Sequence, residues 1–443
     1  MIVARMPPTT PGRDMTDTST APRKGTGLAF AYVTTLFFAW GFATSLIDPL
    51  IAAVRKVFDL TTTEALLTAS AWFIAYAVVS IPAAGILGRL GYSRSIISAL
   101  GVMVVGCLII PLATLVDVYE IVLLGLFVIA SGVTLLQVAA NPLVAVLGSP
   151  KGSHARLNFS QFFNSLGTTL GPLLGSSVLL TGGVFATGAV VTAATRDESL
   201  RSIDFAFLGL ASVFAVVAFF IFTARKKINA AAEGAQGDAV SSPLKAFSSR
   251  WAVFGALAIF VYVGSEVTIG GLLTNFLASP SILNLAEVDA GRLVSFYWGG
   301  AMVGRLIGAI LLTRVPAGVL LTVNTVIAAI LCLVVTQSSG TTAAYAAIGV
   351  GFFNSIMFPT IFTLTLERSS APVSATSGLL CTAIVGGAVL PLIGGMLVDD
   401  AAEIFNPAFF VPLVGYALLA VFAVAAARKK PESREAEVAT TFH

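Results

Sequence analysis

Twelve apolar stretches dominate this 443-residue chain, at 28–53, 65–88, 95–116, 121–148, 157–181, 203–224, 251–277, 293–313, 319–336, 341–366, 373–398 and 407–427. At about 1.5 Å per helical residue, nearly all can cross the roughly 30 Å hydrocarbon core of a bilayer. Lipid offers no partner to a free amide, so such runs must be helices whose backbone bonds close internally. Barrel strands, which alternate apolar and polar residues over about 10 positions, do not fit runs like these. Only 11% of the residues are charged, where a soluble domain needs about a quarter. The predicted fold is therefore an all-α membrane protein of twelve transmembrane helices, here called spans one to twelve.

An even number of crossings puts both termini on one side, and the basic residues decide which. Five lie on the far side, Arg55, Lys56, Arg196, Arg201 and Arg292, against twenty on the terminal side if Arg305, inside span eight, is counted there. The bias predicts cytoplasmic termini in the cytoplasmic (inner) membrane. Residues 1–27, with Pro7, Pro8, Pro11, Asp14 and Asp17, lack the apolar core of a secretory signal and read as a cytoplasmic tail. The expected order is that tail, a six-helix bundle over 28–224, a cytoplasmic linker over 225–250, a second six-helix bundle over 251–427 and a tail over 428–443.

The halves echo one another. Gln137–Pro142 (QVAANP) and Asn354–Pro359 (NSIMFP) each set an amide five residues before a proline, 217 positions apart, while Pro172-Leu-Leu-Gly and Pro391-Leu-Ile-Gly are 219 apart. Arg89 and Arg314, each closing the second span of its half, are 225 apart. Near-constant offsets point to a six-plus-six duplication about the membrane normal. Glycine runs such as Gly167, Gly171 and Gly175 provide faces on which helices can approach and rock.

Several function classes are excluded. Cys107, Cys332 and Cys381 fall within apolar runs as small packing residues, so neither disulfides nor a metal cluster is expected. His154 and His443 read as loop and tail residues, leaving no histidine for a catalytic triad or metal site, and no G-x-x-x-x-G-K-[ST] phosphate cradle occurs. No enzyme activity, cofactor or direct ATP drive is expected, and a net charge of +3 does not suggest nucleic acid. An ion gradient is left as the energy source.

Polar groups inside lipid-length runs mark the candidate site, because a charge at the bilayer centre costs about 2.5–3.5 kcal/mol on insertion scales. Glu266 falls near the middle of span seven and Asp48 near the outward third of span one, 218 residues earlier. Gln137 and Asn141 on span four, Gln161 and Asn164 on span five, Asn275 on seven and Asn354 on ten add amides, which both donate and accept and so suit hydroxyl-rich ligands. Trp40, Phe42, Trp72, Phe73, Tyr76, Phe163, Tyr297 and Trp298 are candidates to stack on a sugar ring.

The segments LLQVAANPLVAVLG (135–148), RLNFSQFFNSLGTTLGPLLG (156–175) and SFYWGGAMVGRLIG (295–308) resemble the fucose:proton symporter family of the major facilitator superfamily. The resemblance implies that Asp48 takes part in proton coupling and Asn164 in sugar binding. It also implies an acid on span four, where this chain has Gln137, as in the glucose/galactose branch. Glu266 is then the candidate second acid. The expectation is a cation-coupled hexose importer, with Asp48 and Glu266 coupling, and Gln137, Asn141, Gln161, Asn164, Asn275, Trp298 and Asn354 binding sugar. Proton is the first choice of ion and sodium the rival. Uniport, fucose transport, drug efflux and sugar sensing are further alternatives, and the resemblance implies a monomer whose only other partner is membrane lipid.

Overall fold

The structure, a computed structural model, describes residues 26–46, 57–58, 62–179, 184, 192–232, 242–398 and 404–429. Asp48 lies outside the described residues. Among the described residues, ten helical stretches are long and apolar enough to cross a membrane. One of them, Trp72–Val116, holds spans two and three end to end. The division is at Gly91, whose φ of 74° and ψ of 177° suit a residue without Cβ and turn the chain inside the GRLGYSR segment. Span five, Ser153–Leu179, is the remaining crossing. It falls short on apolarity because its first half carries His154, Arg156, Asn158, Ser160, Gln161, Asn164 and Ser165.

The crossings form two six-helix bundles. In the first, span one packs on spans five and six, and spans two and three pack on four and six. In the second, seven packs on eleven and twelve, eight on ten, and nine on ten and twelve. The bundles meet where span five lies against eight and ten, and where two and four lie against eleven. Large side chains such as Phe37, Phe214, Tyr262, Phe276 and Phe422 fill the interiors, while Leu108, Phe205, Phe219, Leu392 and Val421 stand on outer faces suited to acyl chains. Span six belongs to a longer helix, Ala193–Ala232, so the expected linker begins as helix before the 3-10 turn Pro243–Ser248.

The duplicated spans differ in continuity. Span four is one helix, Tyr119–Val146, running through Pro142. Span ten breaks into Gly340–Asn354 and Met357–Arg368, and span eleven into Val373–Thr382 and Gly386–Gly395 around a 3-10 turn. Proline has no N–H to give the carbonyl four residues earlier. Pro142 therefore frees the carbonyl of Val138, and Pro359 that of Ser355, two positions equivalent under the 217-residue offset. Both are taken by side chains: Ser377 Oγ donates to Val138 O at 2.7 Å, and Arg305 Nε donates to Ser355 O at 3.1 Å.

Candidate functional site

The first bundle contributes neutral hydrogen bonders on spans four and five. Gln137 and Asn141, four residues apart, share one helix face and are buried. Gln137 Nε2 donates to the hydroxyl of Tyr76 on span two. Gln161 Nε2 donates to Asn141 Oδ1 at 3.4 Å, joining the two spans. Asn164 Nδ2 donates to the Phe37 carbonyl at 3.1 Å, tying span five to span one, against which Gly167 also packs.

In the second bundle the residues carry charge and phenol groups. Glu266 lies mid-way along Arg250–Ala278, 14% exposed, with its Oε1 at 3.8 Å from Arg305 Nη2. That is an ion-pair contact, too long for a hydrogen bond. Tyr297 donates to the Glu266 backbone carbonyl at 3.4 Å and accepts from Asn354 Nδ2 at 2.8 Å, and the same amide reaches Tyr416 Oη at 3.5 Å. Asn354 is thus buried at the break in span ten, held by two tyrosines.

Arg305 joins the two sets. Besides Ser355 and Glu266, its Nη1 donates to Ser165 Oγ on span five, and that hydroxyl in turn donates to the Gln161 carbonyl at 3.2 Å. Reaching Ser355 requires close approach of spans eight and ten, which Gly304 allows: a Cβ there would collide with the Phe352 carbonyl and the Ser355 side chain. A polar path therefore runs from Asn141 through Gln161 and Ser165 to Arg305, Glu266, Tyr297 and Asn354.

Four buried atoms along this path make no hydrogen bond of ordinary geometry: Asn141 Nδ2, Asn354 Oδ1, Glu266 Oε1 and Tyr262 Oη. Tyr262 and Glu266 are neighbours one helical turn apart and interact without meeting that geometry. A buried polar atom left unpaired costs about 1–3 kcal/mol, so these four atoms, spread along the path, are groups that a polar occupant would satisfy.

The Major Facilitator Superfamily profile matches residues 33–383. The chain belongs to the major facilitator superfamily. Within that superfamily it is 41% identical over 406 residues to the glucose/galactose transporter of Brucella abortus biovar 1 (strain 9-941), covering 91% of this chain and 95% of that protein. It is 29% identical over 412 residues to the L-fucose-proton symporter of Escherichia coli (strain K12), covering 89% and 92%. Among solved structures, the superfamily transporter FucP in the outward conformation superposes with a TM-score of 0.81 at 25% identity, covering 92% of this chain and 100% of that one. A superfamily transporter moves its substrate without altering a bond, so the site has to bind and release rather than catalyse.

Of the residues expected from sequence, Gln137, Asn141, Gln161, Asn164, Glu266 and Asn354 are in or beside the path. Asn275 is exposed towards the far end of span seven, and no side-chain hydrogen bond joins it to the group. Trp298 is 42% exposed, its ring edge-on to Tyr297 and lying over Gly270 rather than over the amides. Arg305, Tyr262 and Tyr416 were not expected. A charge within the apolar run 293–313 was a usable signal for Arg305, by the same argument that singled out Glu266. His154 is not a loop residue: it sits in the first turn of span five, its Nε2 3.1 Å from Glu367 Oε1 and its Nδ1 2.5 Å from Thr363 Oγ1.

Proposed function

We propose that this chain imports a hexose, glucose or galactose, in symport with a proton, by alternating exposure of a site between its two bundles. The observation that carries this is the set of unpaired amide, phenol and carboxylate atoms along the polar path on which Arg305, paired with Glu266, reaches across to Ser165 of the other bundle. Amides in the first bundle suit sugar hydroxyls, and the names of the Brucella and Escherichia relatives supply the substrate class and the ion. Glu266 is assigned to coupling with Asp48. Gln137, Asn141, Gln161, Asn164 and Asn354 are assigned to the sugar, whereas Asn275 and Trp298, expected beside them, stand apart from this group.

The reading includes bundles at 28–224 and 251–427, a monomer in the inner membrane, and both termini in the cytoplasm. On that orientation the side facing the cytoplasm is closed. Ser153 and His154 meet Glu367 and Thr363 there, and Asn158 Nδ2 donates to Thr360 at 3.3 Å. An outward-facing state, ready to load, accounts for this. One charge moving down about 100 mV contributes about 2.3 kcal/mol, enough for roughly 50-fold accumulation.

The test is uptake of labelled glucose and galactose by proteoliposomes holding the full chain. An imposed proton gradient is expected to drive accumulation that a protonophore abolishes and sodium does not alter. Accumulation driven by sodium alone would transfer the coupling to that ion, and absence of hexose uptake under any gradient would sink the proposal.

A further inference from the structure

The guanidinium of Arg305 has three claimants on three helices: Glu266 on span seven, the freed Ser355 carbonyl on span ten, and Ser165 on span five of the other bundle. Its hydrogen bonds go to the last two. The carboxylate stands 3.8 Å off with Oε1 unpaired, so it supplies charge balance rather than a hydrogen bond. Ser165 follows Asn164 and lies one turn beyond Gln161, which puts the guanidinium at the edge of the amide cluster.

We propose that Arg305 is a sugar-binding residue whose availability is set by the proton on Glu266, making it the link through which proton and hexose bind cooperatively. The inference rests on the symport reading and adds the residue that performs the coupling. With Glu266 ionised, Arg305 is neutralised in a poorly polarisable interior and has no need of a further acceptor. A proton on Glu266 removes the countercharge, and a buried unpaired guanidinium is costly. Hydroxyl oxygens of a hexose seated against Asn141, Gln161 and Asn354 then supply the acceptors, since guanidinium carries five donors and only two are committed to hydrogen bonds. Reciprocity follows: hexose that draws Arg305 away leaves Glu266 without its cation and so favours protonation.

Among the described residues, the groups facing Glu266 are few. Tyr262 shares its helix, and Tyr297 and Arg305 come from span eight. Span twelve brings Tyr416, which reaches Asn354 rather than the carboxylate, and the helix Gly386–Gly395 of span eleven carries no ionisable side chain. The charges of span ten, Glu367 and Arg368, are at its far end, engaged with His154 and the Ala426 carbonyl.

The experiment is equilibrium binding of labelled glucose to the purified full chain, from mildly acidic to mildly alkaline buffer. In the unmodified protein affinity is expected to weaken by about tenfold across that range, an ordinary size for coupling between sites. Glu266→Gln, which mimics the protonated acid, is expected to bind at the acidic-limit affinity throughout. Arg305→Gln is expected to bind weakly with a flat pH profile, and Arg305→Lys, which keeps the charge, to restore a slope. A slope in Arg305→Gln equal to that of the unmodified protein, or a flat profile in Arg305→Lys, would overturn the inference. If Arg305→Gln does not fold, Arg305→Lys alone decides. An unchanged slope in Glu266→Gln overturns it too while leaving hexose transport intact, whereas no glucose binding by the unmodified chain defeats the function itself.

Discussion

The two bundles share a sequence pattern yet present different chemistry to the site. The first offers neutral amides on helices that run unbroken through Pro142, whereas the second offers a charge pair and three tyrosines around breaks in spans ten and eleven. An amide cluster recognises hydroxyls without changing state, so it suits selection of the sugar. A carboxylate and guanidinium in lipid-length helices respond to a single proton, so they suit coupling. The difference teaches that the same backbone feature, a carbonyl freed by a proline, recurs in both halves while the side chains around it differ in what they can do.

The sharpest way to break this comparison is to remove the charge from one side and hydrogen bonds from the other. Glu266→Gln is expected to abolish accumulation entirely, losing the roughly 50-fold gradient that one charge at about 100 mV sustains. The measurement is proton-driven glucose uptake in vesicles, and retained accumulation would show that the second bundle does not carry the coupling. Asn141→Leu is expected instead to raise KM by about tenfold, the worth of one lost hydrogen bond of 1–1.5 kcal/mol, while accumulation still responds to the proton gradient. Loss of coupling in Asn141→Leu with unchanged KM would reverse the assignment of the two halves.

Much of this site was legible in the residues themselves. Gln137, Asn141, Gln161, Asn354 and Glu266 announced themselves because polar groups within apolar runs are expensive, and all five are indeed buried or nearly so. Asn275, singled out by the same rule, is exposed and stands apart from this group, because an apolar run says how long a helix is but not which sector faces the interior. Arg305 was missed for a different reason: although inside span eight, it was counted towards the charge bias of the terminal side, and only the fold shows that Ser355 and Ser165 converge on it. His154 was read as a loop residue because nothing in the run 157–181 marks the extra turn that places it opposite Glu367. The ranges of the helices were largely readable. The breaks in spans ten and eleven were not, since Pro142 and Pro359 look alike in sequence and only one coincides with a break.

A third test concerns how the bundles hold each other at the end carrying most of the basic residues. Glu367 accepts from Ser153 at 3.0 Å and pairs with His154, so one carboxylate on the second bundle holds two residues of the first. Glu367→Ala is expected to shift the balance towards opening at that end by a few-fold, consistent with about 1 kcal/mol for a partly exposed pair. Distances between spin labels on spans five and ten report it. An unchanged distribution would mean that packing of span two on span eleven, rather than this polar contact, keeps the end shut.

A last test, of similar size, isolates the repeat itself. Val138 and Ser355 are equivalent carbonyls, freed in the same way, but Ser377 caps the first from across the bundle interface while Arg305 caps the second from its own bundle. When the bundles separate on that side, Ser377 must leave Val138, and water or nothing takes its place. Arg305 can stay on Ser355. Ser377→Ala therefore removes a bond that exists only in the closed arrangement, and is expected to cost that arrangement about 1 kcal/mol, a shift of about fivefold in the same label distances. Glucose affinity in the open form should not change, because Ser377 makes no contact with the amide cluster in the hydrogen bonds described. A drop in affinity without any shift in the distances would mean that the Ser377–Val138 bond shapes the sugar site rather than its closure, and the asymmetry between the two caps would lose its mechanical meaning.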